Sequence, residues 1–215
     1  MSLADLLPGE NASQVRDHWW WRPGWRTGRR FYAFHITFED RTDLQRLAGI
    51  YRQALATGDT ITPVPDEWLH LTMQGIGFTD ELGLSEVRHI GQQAAQQLTE
   101  IPAFDVTFGD VVIADEAIVM PAEPAEPIRQ LRTVVRNAIG QVLGESRLTE
   151  DPQRFRPHVS VAYIAAEGPA GPYIEAAKAA QVEPVHVRID HVDLIEMHRD
   201  NRMYEWTTVA ALPLR

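Results

Sequence analysis

The chain has no cysteine, so a disulfide framework, a thiolate metal site and a cysteine nucleophile are all excluded. It also lacks any run approaching the roughly 20 consecutive apolar residues that a membrane span needs. Its first residues carry no cationic region followed by an apolar stretch. A cytoplasmic location without membrane attachment is therefore expected. Positive charge is scarce: 20 Lys and Arg against 30 Asp and Glu give a net charge of -10. Such a surface repels polyanions, and a long nucleic acid gains nothing from it. Phosphate-cradling loops are missing too. There is no P-loop, and Gly75-Ile76-Gly77 has neither a third glycine nor a helix directly after it. What remains is ordinary globular material, 215 residues at 44% apolar content, enough for one large domain or two small lobes.

The positive charge that exists is concentrated. Residues 16–30 hold Arg16, Arg22, Arg26, Arg29 and Arg30 against one acid, Asp17. The same stretch contains Trp19, Trp20, Trp21 and Trp25, four of the six tryptophans. Exposed, this segment stacks bases and contacts phosphates; packed, it straps over the domain and buries its rings. Residues 1–15 show no periodicity and read as a loose leader.

Residues 30–38 are aromatic and β-branched, which predicts a first strand. Leu44, Leu47, Ala48, Tyr51 and Leu55 then recur at helical spacing, with Asp40 or Thr42 as a cap and Thr57-Gly58-Asp59 as a stop. A second helix is expected over 83–98, a third from about 123 to Gly144 and a short fourth over 172–181. Strands are expected at 104–108, 111–114 and 117–120. The chain closes with a hairpin whose arms are 185–197 and 203–212, turning near Asp200-Asn201.

The most informative stretch is Trp68-Leu69-His70-Leu71-Thr72-Met73, which returns in altered form as Pro157-His158-Val159-Ser160-Val161. In a strand, residues two apart share a face, so His70 lies beside Thr72 and His158 beside Ser160. Two imidazoles with adjoining hydroxyls can handle a phosphate between them. About 0.7 His-x-Ser/Thr matches are expected by accident in such a composition, and three occur. The third, His35-Ile36-Thr37, precedes any helix and has no counterpart in the second half; it reads as a histidine satisfied inside an apolar strand. The other two sit in a repeated setting. The preceding helix stops about 13 and about 15 residues before each histidine, and the next begins about 13 and 14 residues after. His186, His191 and His198 fit neither a helical ligand spacing nor one strand face, so no metal site is expected.

Leu69-His70-Leu71-Thr72-Met73 with Gly77, and Phe155-Arg156-Pro157-His158-Val159-Ser160-Val161-Ala162, resemble the two signatures of the 2H phosphoesterase superfamily, in its bacterial 2′-5′ RNA ligase-like, or RNA 2′,3′-cyclic phosphodiesterase, branch. The resemblance covers roughly residues 30–212. It implies an α+β bilobal fold of two pseudo-symmetric lobes, each with an antiparallel sheet and helices, around a central cleft. It further implies metal-independent chemistry without a cofactor, in which both histidines and both hydroxyls touch one phosphate. On that basis residues 1–29 form an N-terminal Trp/Arg-rich extension and 30–215 a single domain, with lobes roughly 30–105 and 106–215 and strands exchanged between them. The catalytic set is His70, Thr72, His158 and Ser160. Gln74, placed by alternation on the face of His70, and Arg156, on the face of His158, are expected to contact substrate. So is Tyr163, which stands where the family often carries arginine, while Gly75 stands where an aromatic is common. The expected substrate is an RNA end or small nucleotide with a 2′,3′-cyclic phosphate, opened by a monomeric enzyme. The competing reading is a non-catalytic RNA- or nucleotide-binding module that uses the cleft and the Trp19–Arg30 segment.

Overall fold

The apolar periodicities place most elements where they form. In the computed structural model, which describes residues 3–6, 9–56 and 59–215, the order is β1 (Gln14–Val15), β2 (Phe31–Thr37), α1 (Thr42–Ala54), β3 (Ile61–Pro63), β4 (His70–Phe78), α2 (Leu84–Leu98), β5 (Phe104–Phe108), β6 (Val112–Ile113), β7 (Ala117–Pro121), α3 (Ala125–Leu143), β8 (His158–Ile164), β9 (Gly168–Pro169), α4 (Gly171–Ala179), β10 (Val185–Ile189), β11 (His191–His198) and β12 (Glu205–Pro213). The repeated plan around the histidines is present. Ala54 and Leu143 end the helices before His70 and His158, and Leu84 and Gly171 begin the helices after them. No helix among the described residues is long and apolar enough to cross a membrane.

Two four-stranded antiparallel sheets carry the molecule, in the orders β12-β11-β2-β4 and β3-β8-β7-β6. The first combines β2 and β4 with the final hairpin, so it joins both ends of the chain. The second combines β3 with strands from the middle. In α1 the buried residues are Leu44, Leu47, Ala48 and Tyr51, the helical stripe that the sequence displays. In α3 the buried face includes Arg132 and Arg136 beside Ile128, Leu131 and Val135. This helix packs against β4 and α2, and α1 against β8, β10 and α4. Gly144 ends α3 at φ +89°, a conformation in which a side chain is strained.

Three expectations need correction. The 185–197 arm is two strands in two sheets: β10 pairs with β5, and the chain then crosses to β11, which pairs with β12 and β2. Asp190 lies at the break, its carboxylate bonded to Arg41 at 2.7 Å and close to His191 at 2.6 Å. Helix α1 starts after Arg41, with no side chain capping it, so neither Asp40 nor Thr42 is a cap. Of its expected stop, Thr57 and Gly58 lie outside the described residues. Finally, the described part of the leader is packed. Ala12 donates to the Ile113 carbonyl at 2.8 Å, Asn11 accepts from the Ile113 N–H at 2.8 Å, and Val15 pairs with Gly168. Leu6 is buried against Val112, Ala114 and Val119. Backbone bonding to a strand edge needs no side-chain periodicity, so the sequence pattern gave no sign of it.

Candidate active site

The site is built by β4 and β8, one from each sheet. In β4, His70 pairs with Thr37 and Thr72 with His35, but Gln74 pairs with Phe34, so Met73 is an extra residue in the ladder. In β8, His158 pairs with Pro121 and Ser160 with Val119, but Ala162 pairs with Ile118, so Val161 is extra. Each histidine strand therefore carries a β-bulge at the same place, just after its hydroxyl residue. A bulge reverses the alternation beyond it, and in β4 a second extra residue, Ile76, reverses it again before Gly77. His70 and Thr72, and likewise His158 and Ser160, stay on one face as expected. Past the bulges Gln74 turns inward and Tyr163 turns towards the cleft.

His70, Thr72, His158 and Ser160 line one cavity of about 320 Å³. The His70 Nδ1 lies 2.8 Å from the Trp68 carbonyl, and the His158 Nδ1 lies 2.6 Å from that of Arg156. A carbonyl only accepts, so each Nδ1 carries the proton and each neutral ring leaves Nε2 as a base. Burial lowers both pKa values, that of His70 to about 4, with the neighbouring His158 charge adding to the effect and the Trp68 carbonyl opposing it. Ser160, 8% exposed, lines the cleft together with Tyr163. Thr72 is exposed to the cleft. Among the described residues no group of three or more His, Asp or Glu is disposed to hold a metal ion.

The three expected substrate contacts fall differently. Gln74 does not share the face of His70: its side-chain oxygen accepts from Arg132 at 2.8 Å and Arg136 at 2.7 Å, while Arg132 also donates to the carbonyl of the bulged Met73 at 2.7 Å. Its amide oxygen is thus engaged by α3, its amide nitrogen donates to the Gly75 carbonyl at 3.2 Å, and the residue borders the cavity next to the cleft. Arg156 donates to the carbonyls of Gln153 at 2.8 Å and Phe155 at 3.4 Å and lines an adjoining cavity with His158 and Thr72. Tyr163 lies in the cleft wall, buried, and burial raises its pKa.

Several cleft residues escape a reading of the sequence alone. His18 stacks on Tyr163 at 4.3 Å, and its Nε2 lies 3.0 Å from the Tyr204 hydroxyl. Burial, with Arg22 and Arg199 nearby, lowers the His18 pKa to about 2. Trp19 meets Tyr163 edge-on at 5.2 Å, and Trp25 packs on Phe31 and Phe78. Only Trp20 and Trp21 among these rings are largely exposed, at 44% and 51%. Arg16 and Arg22 pair with Glu116, and Arg26 and Arg29 with Asp80. The segment is thus a strap that walls the cleft, with most of its charge matched inside the molecule. His35 also lines the cleft, and the expectation that it is satisfied is wrong: neither ring nitrogen has a hydrogen-bond partner among the described residues. The His-x-Thr match at His35 is the one signal in the sequence that points to it.

A pair of bulged strands thus presents His-x-Thr and His-x-Ser across a common cleft, the two-histidine arrangement expected from the sequence. The chain belongs to the 2′-5′ RNA ligase superfamily, whose family model matches residues 43–201. No curated protein matches the sequence. Among solved structures it is similar to TT0787 of Thermus thermophilus, at 19% identity and a TM-score of 0.66 over 87% of this chain and 98% of that one. It is also similar to E. coli LigT in its apo form, at 16% identity and a TM-score of 0.62 over 86% and 98%. LigT complexed with 3′-AMP gives 15% identity and a TM-score of 0.60 over the same shares. These likenesses establish the 2H phosphoesterase fold over nearly the whole chain. The strap that supplies His18 and Trp19 lies before the residues that the family model matches.

Proposed function

We propose that this protein is a phosphodiesterase that opens ribose 2′,3′-cyclic phosphates to phosphomonoesters by two-histidine acid–base catalysis. The observation that carries this reading is the matched pair of tautomers, each Nδ1–H held by the carbonyl two residues before it and each Nε2 left for the shared cleft. One imidazole takes a proton from water as its oxygen bonds to phosphorus. The other, protonated, gives its proton to the ribose oxygen as the P–O bond breaks. Both rings are neutral in the free protein, and the negative charge of an arriving phosphodiester favours the proton that the acid needs. Thr72 and Ser160 hydroxyls donate to the non-bridging oxygens, where charge develops.

A cleft of about 320 Å³ and a net charge of -10 favour a small nucleotide or the last residue of an RNA end over an extended polyanion. The complex of LigT with 3′-AMP supports the same class of ligand, since opening an adenosine 2′,3′-cyclic phosphate leaves a monophosphate of this kind. Catalysis needs no metal in this reading, and the enzyme acts as a cytoplasmic monomer. The test is incubation with a panel of nucleoside 2′,3′-cyclic phosphates and 2′-5′ linked oligonucleotides, with products identified by mass. Turnover of the cyclic phosphates is expected; binding without turnover would replace the enzyme by a binding module.

A further inference from the structure

Four histidines line the cleft, His18, His35, His70 and His158, and two of them stack on each other. His35 lies on β2 directly opposite Thr72, so its side chain shares the face of His70 and Thr72. Its ring stacks on that of His70 with centroids 4.4 Å apart and planes within 4° of parallel. Trp206 closes the stack edge-on, 5.6 Å from His35 and 5.2 Å from His70. His35 is 1% exposed, and neither of its ring nitrogens has a partner among the described residues. Two unpaired buried nitrogens cost stability that an apolar side chain of similar size would not. A histidine retained under that penalty, against the ring of His70, calls for a reason in the chemistry.

We propose that His35 is a positioning residue for His70: its flat face holds the His70 ring in the plane set by the Trp68 carbonyl and stabilises the imidazolium that His70 becomes during the reaction. The inference rests on the reading of the site as a cyclic phosphodiesterase. It holds whichever histidine is the base, because His70 is cationic before proton transfer if it is the acid and after it if it is the base. A ring face under a cation is attractive, and most so where water is excluded. His35 serves only if it stays neutral. Burial, with the His70 charge adding to it, keeps its pKa well below the usual histidine value. The other titratable groups around the stack are His158 and Tyr204 across the cleft and Asp193 on β11. Asp193 is opposite His35 in register, but its carboxylate is taken by the Thr37 hydroxyl at 2.5 Å and faces His191. None of these groups hydrogen-bonds His35.

The experiment is a double-mutant cycle on a nucleoside 2′,3′-cyclic phosphate, run well below the lowest melting midpoint of the set. His35→Leu keeps an apolar volume and removes the flat face, and it is expected to lower kcat roughly tenfold with KM little changed. His35→Gln keeps polar atoms without a ring and should lose as much; it stands in if the leucine variant does not fold. His35→Phe restores a face and recovers most of the loss. In a His70→Ala background, His35→Leu has no further effect, because the residue acts through His70. The proposal is overturned if His35→Leu matches the wild type, if its loss is undiminished in the His70→Ala background, or if phenylalanine is as poor as leucine. A wild-type protein that turns over no cyclic phosphate removes the underlying reading itself, which separates that failure from these.

Discussion

Replacing Gln74 by methionine separates the alternation of a regular strand from the geometry of a bulged one. Methionine keeps the length and burial of the side chain and removes its acceptor. In the wild type that acceptor takes two bonds from guanidinium groups, 2.8 Å from Arg132 and 2.7 Å from Arg136, at a residue 4% exposed. Hydrogen bonds to charged groups contribute roughly 1.5–3 kcal/mol each. The low end applies, because Arg132 keeps the Met73 carbonyl and Glu150, and Arg136 keeps the Glu150 carbonyl. Two bonds at that value give a loss of about 3 kcal/mol. For a chain of this length the melting midpoint falls about 2–4 °C per kcal/mol, hence by roughly 6–12 °C. Calorimetry and urea unfolding measure it directly. Gln74→Glu retains the acceptor for both arginines, loses only the amide's bond to the Gly75 carbonyl, and should melt nearer the wild type than the methionine variant. A Gln74→Met protein that melts within about 2 °C of the wild type but raises KM tenfold would return Gln74 to the substrate and refute the bulge argument.

Three further outcomes are expected. His70→Ala and His158→Ala should each cost on the order of 10²–10⁴ in turnover of a cyclic phosphate, with wild-type activity surviving excess EDTA; loss reversed by zinc would contradict the acid–base scheme. Folding stability should decline on mild acidification. The pKa values of His18 and His70 are lowered to about 2 and about 4, so the unfolded chain binds their protons first. Their stabilisation is whole above about pH 6.5 and is lost as pH falls below that value, at up to about 1.4 kcal/mol per pH unit for each histidine. Urea midpoints between pH 7 and 5 measure this, and a flat profile would contradict it. Trp19→Ala should destabilise by about 2 kcal/mol through lost packing on Tyr163 and Tyr204, whereas Trp21→Ala, at a residue 51% exposed, should stay within about 0.5 kcal/mol of the wild type. Equal effects at the two positions would mean that the strap is not packed as described.

Much of the architecture is written in local periodicity. The stripe of Leu44, Leu47, Ala48 and Tyr51 is both what predicts α1 and what α1 buries. The helices flanking each histidine stand at similar distances because one supersecondary unit is used twice. The final arm reads as one strand because an apolar run that continues past Asp190 does not say which sheet each part joins; pairing partners are chosen by the rest of the fold. The same holds for the leader, whose Ala12 N–H and Asn11 side chain bond the Ile113 backbone without any periodic pattern.

The sequence by itself determined the candidate quartet, because His70 with Thr72 and His158 with Ser160 need only the strand period of two to share a face. Everything past the hydroxyls was decided by tertiary structure. The extra residue just past each hydroxyl, Met73 in β4 and Val161 in β8, sends Gln74 to the arginines of α3 and brings Tyr163 to the cleft. A bulge is a property of two paired strands, so it is invisible in either strand alone. His35 depends on the same pairing: read along its own strand it is a polar residue among apolar ones, and only the register of β2 against β4 lays its ring on His70.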